Sequence, residues 1–539
     1  MATPMLLLDH VTCVPVDKRE EQAAPGGREA APRFHTRTVV TLVAVLLLMS
    51  AAALLLQRRW PRAKPVQVRS LAVLPLLNLS GDPAQDYLAD GITEMLITDI
   101  GRIADLRVIS RTSVMHYQGT RKTTPEIARE LHVDAILEGS VARSGDRVRI
   151  TTQLIETATD RHLWAGSYEG STADVLDLQD EVARAVARQV AAKVSPERAL
   201  PSGPKHRISV EAQDAYLKGL HEADKYTREG LTSSIEHFER AIQYDPEFAE
   251  AWGGLSYSYD LLTLFHYLPV DVGTAKAEAS ARRAIQLDDS LSEAHAALGA
   301  VMLHHSGHAG IARGPWTDVE KELHRAIALN PSNALAHQVL GYLLTCVLGR
   351  FDEGILEMKR ALELDPLSAN KFNSLGAAFY WSGHYNKALE AFREVSDGGA
   401  NTELRHRRMA YMYERNGMEQ RAAEELSRAM KLTGRQGLAT FVQQTFRSSK
   451  YGAAKRAFLL RDIQEREVLA RRSGERGHAA WIATDYAQLG DNDQAFEWMD
   501  RAFAEGDNML MFLKVEGQWE SLRNDPRFPA LAARFGLPG

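Results

Sequence analysis

Cysteine is nearly absent: Cys13 and Cys346 are the only two in 539 residues. That excludes a disulfide framework and a zinc-type cysteine cluster, while leaving the redox compartment open. Charge of one sign is not in excess either. The 64 Lys and Arg against 70 Asp and Glu leave a net charge of −6, so no global basic bias points to nucleic acid. Phosphate loops are missing as well. No G-x-x-x-x-G-K-[ST] occurs, and no G-x-G-x-x-G follows a strand-like run, so neither familiar backbone cradle for a nucleotide is present. What remains is ordinary globular composition, 45% apolar and 25% charged, in a chain too long for one core.

Long hydrophobic runs are scarce, with one exception. Between Arg37 and Arg58 stands TVVTLVAVLLLMSAAALLLQ, which carries no charge and is followed by Trp60. At about 1.5 Å per residue such a run reaches roughly the thickness of a bilayer's hydrocarbon core, and an interfacial aromatic belongs where Trp60 falls. The expectation is one transmembrane helix over 37–58. A cleaved signal peptide fits less well, because the run begins late and no small-residue cleavage site follows. Cys13 and Cys346 lie on either side of this run, which argues against their pairing. Five basic residues precede it (Lys18, Arg19, Arg28, Arg33, Arg37) and five follow (Arg58, Arg59, Arg62, Lys64, Arg69), so charge asymmetry does not orient it. Residues 1–36 are rich in Ala, Pro, Gly and charge and read as a disordered tail.

From 66 to 192 the patterns alternate. SLAVLPLLNL (70–79) is near-continuously apolar, as a strand covered on both faces would be. A helix follows, with Leu88, Ile92, Leu96 and Ile103 close to helical spacing. DLRVISR (105–111) is a second strand. Thr124 and Pro125 then open a short helix, Thr124 as its cap. DAILEGSVAR and DRVRITTQLIET are joined around Ser144-Gly145-Asp146, a hairpin whose glycine supplies positive φ. LWAGSYEG adds a strand, and Val175, Leu178, Val182, Val186 and Val190 stripe a closing helix. The order β-α-β-α-β-β-β-α predicts a small α/β sandwich with a mixed sheet.

These residues carry a resemblance. SLAVLPLLNLSGDPAQDYLADGITEMLITDI, RVISRTSVMHYQG and IARELHVDAILEGSVARSGDRVRITTQLIETATDRHLWAGSYEG together look like the TolB-type, or FlgO-like, amino-terminal domain over about 120 residues, with Leu76 where that family more often has Phe. In bacteria that domain commonly lies between a membrane span and tetratricopeptide repeats, behind a CadC-type DNA-binding domain, an adenylate cyclase domain or a kinase. The resemblance implies an inner-membrane, single-pass protein with its bulk in the periplasm, the cytoplasmic side remaining open. Nothing of effector size precedes the span, so those effector activities are not carried over.

A linker, 193–207, leads to a recurring phrase: RAIQYDP (240–246), RAIQLDD (283–289), RAIALNP (325–331) and RALELDP (360–366), spaced 43, 42 and 35 residues apart. The period approaches 34 with insertions, and each Asp-Pro or Asn-Pro stops a helix. Phe372, Leu375, Gly376, Phe379, Gly383, Tyr385, Ala388 and Phe392 fall where tetratricopeptide repeats put packing residues. Trp252-Leu255-Tyr259, Tyr413-Gly417-Ala422 and Tyr486-Gly490-Ala495 echo the pattern. The region 208–505 therefore resembles an all-α tetratricopeptide superhelix, and 506–539, with Trp519, Leu522, Phe528 and Leu531, an apolar cap. The expected fold is α+β overall: one transmembrane helix, an α/β sandwich and a solenoid.

Such solenoids bind extended peptides or partner helices on one surface. On the best-matched unit the groove-facing positions are Asn370, Asn373, Ala377 and Tyr380, where amide side chains can bond a peptide backbone; the alternative is an ordinary solvated helix face. Other candidates are weaker. His304, His305 and His308 in LHHSGHAG lack a nearby carboxylate in sequence and read as surface histidines rather than a metal site. Ser80 and Ser144 sit in glycine turns, but neither stands in a nucleophile elbow. Glu138 reads as a solvent-facing strand carboxylate. The turn in LPLLNLSGDPAQDYLADGI offers Gly81 alone, then Asp82, which repels phosphate, and Pro83, which lacks an N–H. No cofactor and no catalytic residue are expected. The functional expectation is a non-enzymatic scaffold or sensor for a protein partner. Alternatives are a regulator acting through a separate effector protein, and an enzyme or nucleotide binder with its site in the α/β domain.

Overall fold

In the computed structural model the described residues are 49–50, 68–82, 86–171, 175–194, 208–305, 316–395, 397, 402–472 and 477–538. The first elements form a sheet with helices: β1 (Ser70–Val73), β2 (Leu77–Asn78), α1 (Asp86–Gly101), β3 (Arg107–Val108), α2 (Arg111–Met115), α3 (Thr124–Leu131), β4 (Ala135–Ser144), β5 (Arg147–Glu156), β6 (Arg161–Ser171) and α4 (Val175–Val194). Strand order is β3-β1-β4-β5-β6, with β2 also on β4; the first pairings are parallel and β4-β5-β6 antiparallel. The sheet is therefore mixed, as the alternation of patterns predicts.

Three local details differ from expectation. The run 70–79 is two strands, because Pro75 has no N–H to give the ladder. Val73 pairs with Leu137 and Leu77 with Ser140, so one extra residue is accommodated between them. DLRVISR contributes only Arg107–Val108 to the sheet; from Arg111 it turns into α2. The cap of α3 is Thr123 rather than Thr124, since Glu126 reaches back to accept from the Thr123 N–H at 2.7 Å. The hairpin turn holds Gly145 at φ 64°, where a side chain would be strained.

The rest is helical. The paired helices are α5 (Val210–Ala223) with α6 (Arg228–Tyr244), α7 (Ala249–Leu264) with α8 (Val270–Leu287), and α9 (Ser292–His304) with α10 (Trp316–Leu329). Next come α11 (Ala334–Tyr342, extended by a π turn at Leu343–Val347) with α12 (Phe351–Leu364), and α13 (Ala369–Trp381) with α14 (Tyr385–Arg393). Then follow α15 (Thr402–Arg415) with α16 (Glu419–Leu432), α17 (Gln436–Ser448) with α18 (Tyr451–Arg472), and α19 (Ala479–Leu489) with α20 (Asn492–Glu505). Short turns at Asn508–Phe512 and Gly517–Trp519, α21 (Glu520–Arg523) and α22 (Phe528–Arg534) complete the chain. Each helix pair packs on the next, which makes a tetratricopeptide-like solenoid behind a small amino-terminal sheet. Small residues permit the approach: a Cβ on Gly376 would stand 2.5 Å from Phe392 Cδ1 of the partner helix. The final segment is tied down by Trp519, fully buried, whose Nε1 donates to Thr484 Oγ1 on α19 at 2.8 Å.

The transmembrane helix is corrected. Among the described residues no helix is long and apolar enough to cross a membrane. The longest, α18, spans 22 residues but carries charge at Lys455, Arg461, Asp462, Arg466 and Arg471. The run 37–58 on which the expectation rested lies outside the described residues apart from Met49 and Ser50. The single-pass, inner-membrane localisation, and the membrane as a partner, fall with that helix. The tail 1–36 also lies outside the described residues.

Candidate protein-interaction groove

Helix α13 begins after Ser368, which caps it by accepting from the Lys371 N–H. The four groove positions read from the sequence do not face open solvent together. Asn370 is partly buried beside the Tyr226 hydroxyl. Asn373 and Ala377 are buried, and Tyr380 is only 2% exposed. What covers Tyr380 is the chain's own carboxyl-terminal segment. The Tyr380 hydroxyl donates to Glu516 Oε1 at 2.6 Å and accepts from the Gly517 N–H at 3.0 Å. Burial, with Glu516 beside it, pushes the Tyr380 phenol well above its ordinary range, so it stays a donor.

The other oxygen of Glu516 accepts twice from Arg408 of α15, from Nε at 3.0 Å and Nη2 at 2.8 Å. The Arg408 guanidinium lies 4.9 Å from the Trp381 ring and 5.1 Å from the Phe512 ring, and those two rings are stacked at 5.0 Å. A carboxylate and an aromatic four residues apart are thus held by one arginine, one tyrosine and one tryptophan. Charge-assisted hydrogen bonds and ring stacking in a sheltered site are the chemistry by which a groove reads an extended peptide.

Arg408 belongs to a run that sequence reasoning passes over. Arg405, His406, Arg407 and Arg408 are consecutive on α15, and all four are buried. A helix packed on every side needs counter-charges from every side, and each of the four meets at least one. Arg405 meets Asp397 at 3.1 Å; His406 lies 2.5 Å from Glu425 and 3.1 Å from Asp397. Arg407 binds Asp462 and Asp485 from α18 and α19, with its plane near the Phe458 and Trp481 rings. Burial disfavours ionised Asp462, but Arg466, Arg407 and Arg435 outweigh it and hold its carboxyl far below the usual range. Asp485 is pushed well above by burial and by the Asp462 charge, so the pair shares one negative charge. In sequence a basic run reads as a solvated face. The usable signal was its position: His406 precedes Met409, Ala410 and Tyr413 at the spacing where a repeat's packing residues fall.

The remaining candidates have ordinary partners. His304 Nδ1 and His305 Nε2 each lie 2.9 Å from the carboxylate of Asp260, which is fully buried on α7. The acid missing nearby in sequence is thus supplied from 44 residues away. His308 lies outside the described residues, and among those described no group of three metal-ligating side chains is disposed to hold an ion. Glu138 is partly buried and accepts from Gln153 at 2.7 Å. In the Ser80 turn, Ser80 N donates to Asn78 Oδ1 and Asp82 N to Ser80 Oγ, so those two amides are spent within the turn. A small cleft, with a cavity of about 10 Å³, lies between α15 and α18, lined by Arg407, Tyr411, Glu414, Tyr451 and Lys455, where Lys455 pairs with Glu414 at 2.7 Å.

No family model matches the chain. It is 35% identical over 187 residues to "Putative adenylate cyclase 3" of Rhizobium meliloti (strain 1021), which covers 35% of this chain and 32% of that protein. It is 27% identical over 209 residues to tetratricopeptide repeat protein 37 of Xenopus laevis, covering 38% of this chain and 12% of that one. The chain therefore spans a third or less of these relatives' lengths. Among solved structures it is similar to a thermophilic tetratricopeptide repeat protein of Thermus thermophilus, at 16% identity and a TM-score of 0.28, over 40% of this chain and 98% of that one.

Proposed function

We propose that this chain is a non-enzymatic protein-interaction scaffold or sensor. Its repeat array would read an extended peptide at α13 and α15, and its TolB-type α/β domain would be the sensing half. The observation that carries this reading is the grip on Glu516 and Phe512 by Arg408, Tyr380 and Trp381. The internal segment stands as a sample of the partner's chemistry: an aromatic, three intervening residues, then an acid. Asn370 and Asn373, earlier on the same helix, are proposed to bond the peptide backbone.

A fluorescent peptide copying residues 507–520, titrated into the full chain, tests the reading. It should bind a Phe512→Ala/Glu516→Gln double variant at least about tenfold more tightly than the parent, because internal competition is reduced. No binding to a variant that keeps the parent's circular dichroism would sink the proposal.

A second reading is favoured by the adenylate cyclase relative: a signalling regulator that works through a separate effector protein. Cyclase activity in this chain itself is tested by incubating it with ATP and a divalent cation. Cyclic AMP formation would replace the scaffold reading with an enzymatic one.

A further inference from the structure

One ring position recurs in the first helix of successive repeats, six residues after the second member of the helix-stopping dipeptide. Trp252, His295, His337 and Phe372 follow Pro246, Asp289, Pro331 and Pro366 at that interval, each with a leucine three residues further on. Trp252 Nε1 donates to the Pro246 carbonyl at 3.1 Å. His295 Nε2 stands in the same relation to the Asp289 carbonyl, and His337 Nε2 to the Pro331 carbonyl, each at 3.1 Å. A carbonyl oxygen only accepts and an indole N–H only donates, so the shared contact makes Nε2 a protonated nitrogen in both imidazoles.

The other ring nitrogen then meets an acid. His295 Nδ1 lies 2.6 Å from Glu322 Oε2 of α10, and His337 Nδ1 lies 2.5 Å from Glu357 Oε2 of α12. A neutral ring already protonated at Nε2 offers only a lone pair there, and an ionised carboxylate offers only lone pairs in return. So short a contact requires one further proton between them. Both acids stand three residues before the arginine of the recurring phrase, Arg325 and Arg360. At that place α8, the partner of Trp252's helix, has Ser280 and no acid.

The two rings are buried and their acids partly exposed. Asp289 Oδ1 also stands 3.6 Å from His295, and its other oxygen meets Arg325 at 3.2 Å. Among the described residues Glu357 is the only charged side chain within ion-pair distance of His337. At the far end of α9, His304 and His305 share Asp260. His406 repeats the pairing, with Glu425, but its Nε2 faces Asp397 and Arg405 instead of a carbonyl, so it is set apart.

We propose that His295 and His337 are proton-held staples: each fastens the first helix of its repeat to the second while a proton bridges ring and carboxylate, and the middle of the array loosens as pH rises. The Asn-Pro turn gripped by His337 also bonds the α/β domain, through Ser332 to Val108 and Leu106. Loss of that proton therefore reaches the docking of the α/β domain on the repeats. An unfolded imidazole releases its proton near pH ~6.5. Above that pH the closed repeats keep a proton that opening sets free, so the staple's contribution is complete below about 6.5 and is lost as pH climbs.

Hydrogen exchange on the full chain, corrected for the intrinsic pH dependence of exchange, tests this. One proton released on opening changes protection by at most about tenfold per pH unit, so α9–α10 and α11–α12 should each lose roughly tenfold between pH 6.5 and 8.5. Glu322→Gln and Glu357→Gln supply an amide N–H that a neutral Nδ1 can accept, which removes the need for the extra proton. Each should flatten the pH slope in its own repeat and leave the other repeat's slope unchanged. Any slope owed to His304, His305 and Asp260 survives both substitutions, which separates it from the staples. Equal corrected protection of the parent at both pH values would overturn the proposal, as would a glutamine variant that keeps the parent's slope in its repeat. Should one variant fail to fold, the other carries the same comparison. None of these readouts depends on peptide binding at Glu516, so failure here would leave the scaffold reading standing.

Discussion

The Ser113 hydroxyl donates to Asp365 Oδ1 at 2.6 Å, joining the α/β domain to a repeat turn 252 residues further on. The same hydroxyl accepts from the Leu367 N–H at 3.0 Å, and Ser113 and Asp365 are both buried. The Asp-Pro phrase that stops helix α12 is therefore also a docking surface. Ser332, in the Asn-Pro turn one repeat earlier, plays the corresponding part by bonding Val108 and Leu106.

Replacing that hydroxyl removes two bonds and strands a buried carboxylate oxygen. Ser113→Ala should cost about 2 kcal/mol, within the usual penalty for orphaning a buried polar group. Urea unfolding followed by circular dichroism measures it. A loss below about 0.5 kcal/mol would show that water or a neighbour replaces the hydroxyl.

Gly376 tests the packing between α13 and α14. An alanine methyl would meet the Phe392 ring at 2.5 Å, and that ring is buried with no room to retreat. Gly376→Ala should destabilise by about 1–3 kcal/mol, despite alanine's better helix propensity. Gly437, also on a helix but with nothing within 4 Å of its Cβ position, is the control, and its alanine variant should be neutral or slightly stabilised.

These glycines mark how much was legible. Helix pairs announce themselves because each buries one stripe, so Leu375, Phe379, Ala388 and Phe392 reappear as core. The mixed sheet was legible but not its strand order: hydrophobic runs named the strands, while Pro75 broke one of them. The site was less so. Groove positions follow from helical spacing, but nothing local says that residues 507–519 come back to cover them, since that contact spans more than a hundred residues. The buried arginines of α15 escaped for the same reason, because their acids arrive from four other parts of the chain. Asp260 beneath His304 and His305 is a third case.

Lys371 offers a pH prediction. Its side chain is 5% exposed and its ammonium donates to Gln338 Oε1. Burial lowers its pKa, with Asp365 and Asp224 opposing. The folded protein thus binds this proton less tightly than the unfolded chain. The site costs stability below the folded pKa, and the cost fades as pH rises towards 10.5. Lys371→Met should therefore raise stability by about 1 kcal/mol at pH 7, and the gain should shrink between pH 7 and 10. Thermal melts across that range decide it; a pH-independent effect would mean that packing, not charge, dominates.

The last prediction concerns Arg408 and Glu516, buried at 4% and 1% of side-chain exposure. Taking two charges out of water costs several kcal/mol per ion, and their attraction roughly repays it only while both remain. Arg408→Met alone leaves Glu516 with Tyr380 as its remaining side-chain donor and should cost about 3–5 kcal/mol. Glu516→Gln keeps a carbonyl for Tyr380 but strands the guanidinium between Trp381 and Phe512, and should cost about as much. The double variant removes both burdens together, so its loss should fall well short of the sum, with a coupling of about 2 kcal/mol or more. Additive losses would mean that the two side chains are held by their other neighbours, and that the grip on the carboxyl-terminal segment comes from Phe512 and Trp519 instead.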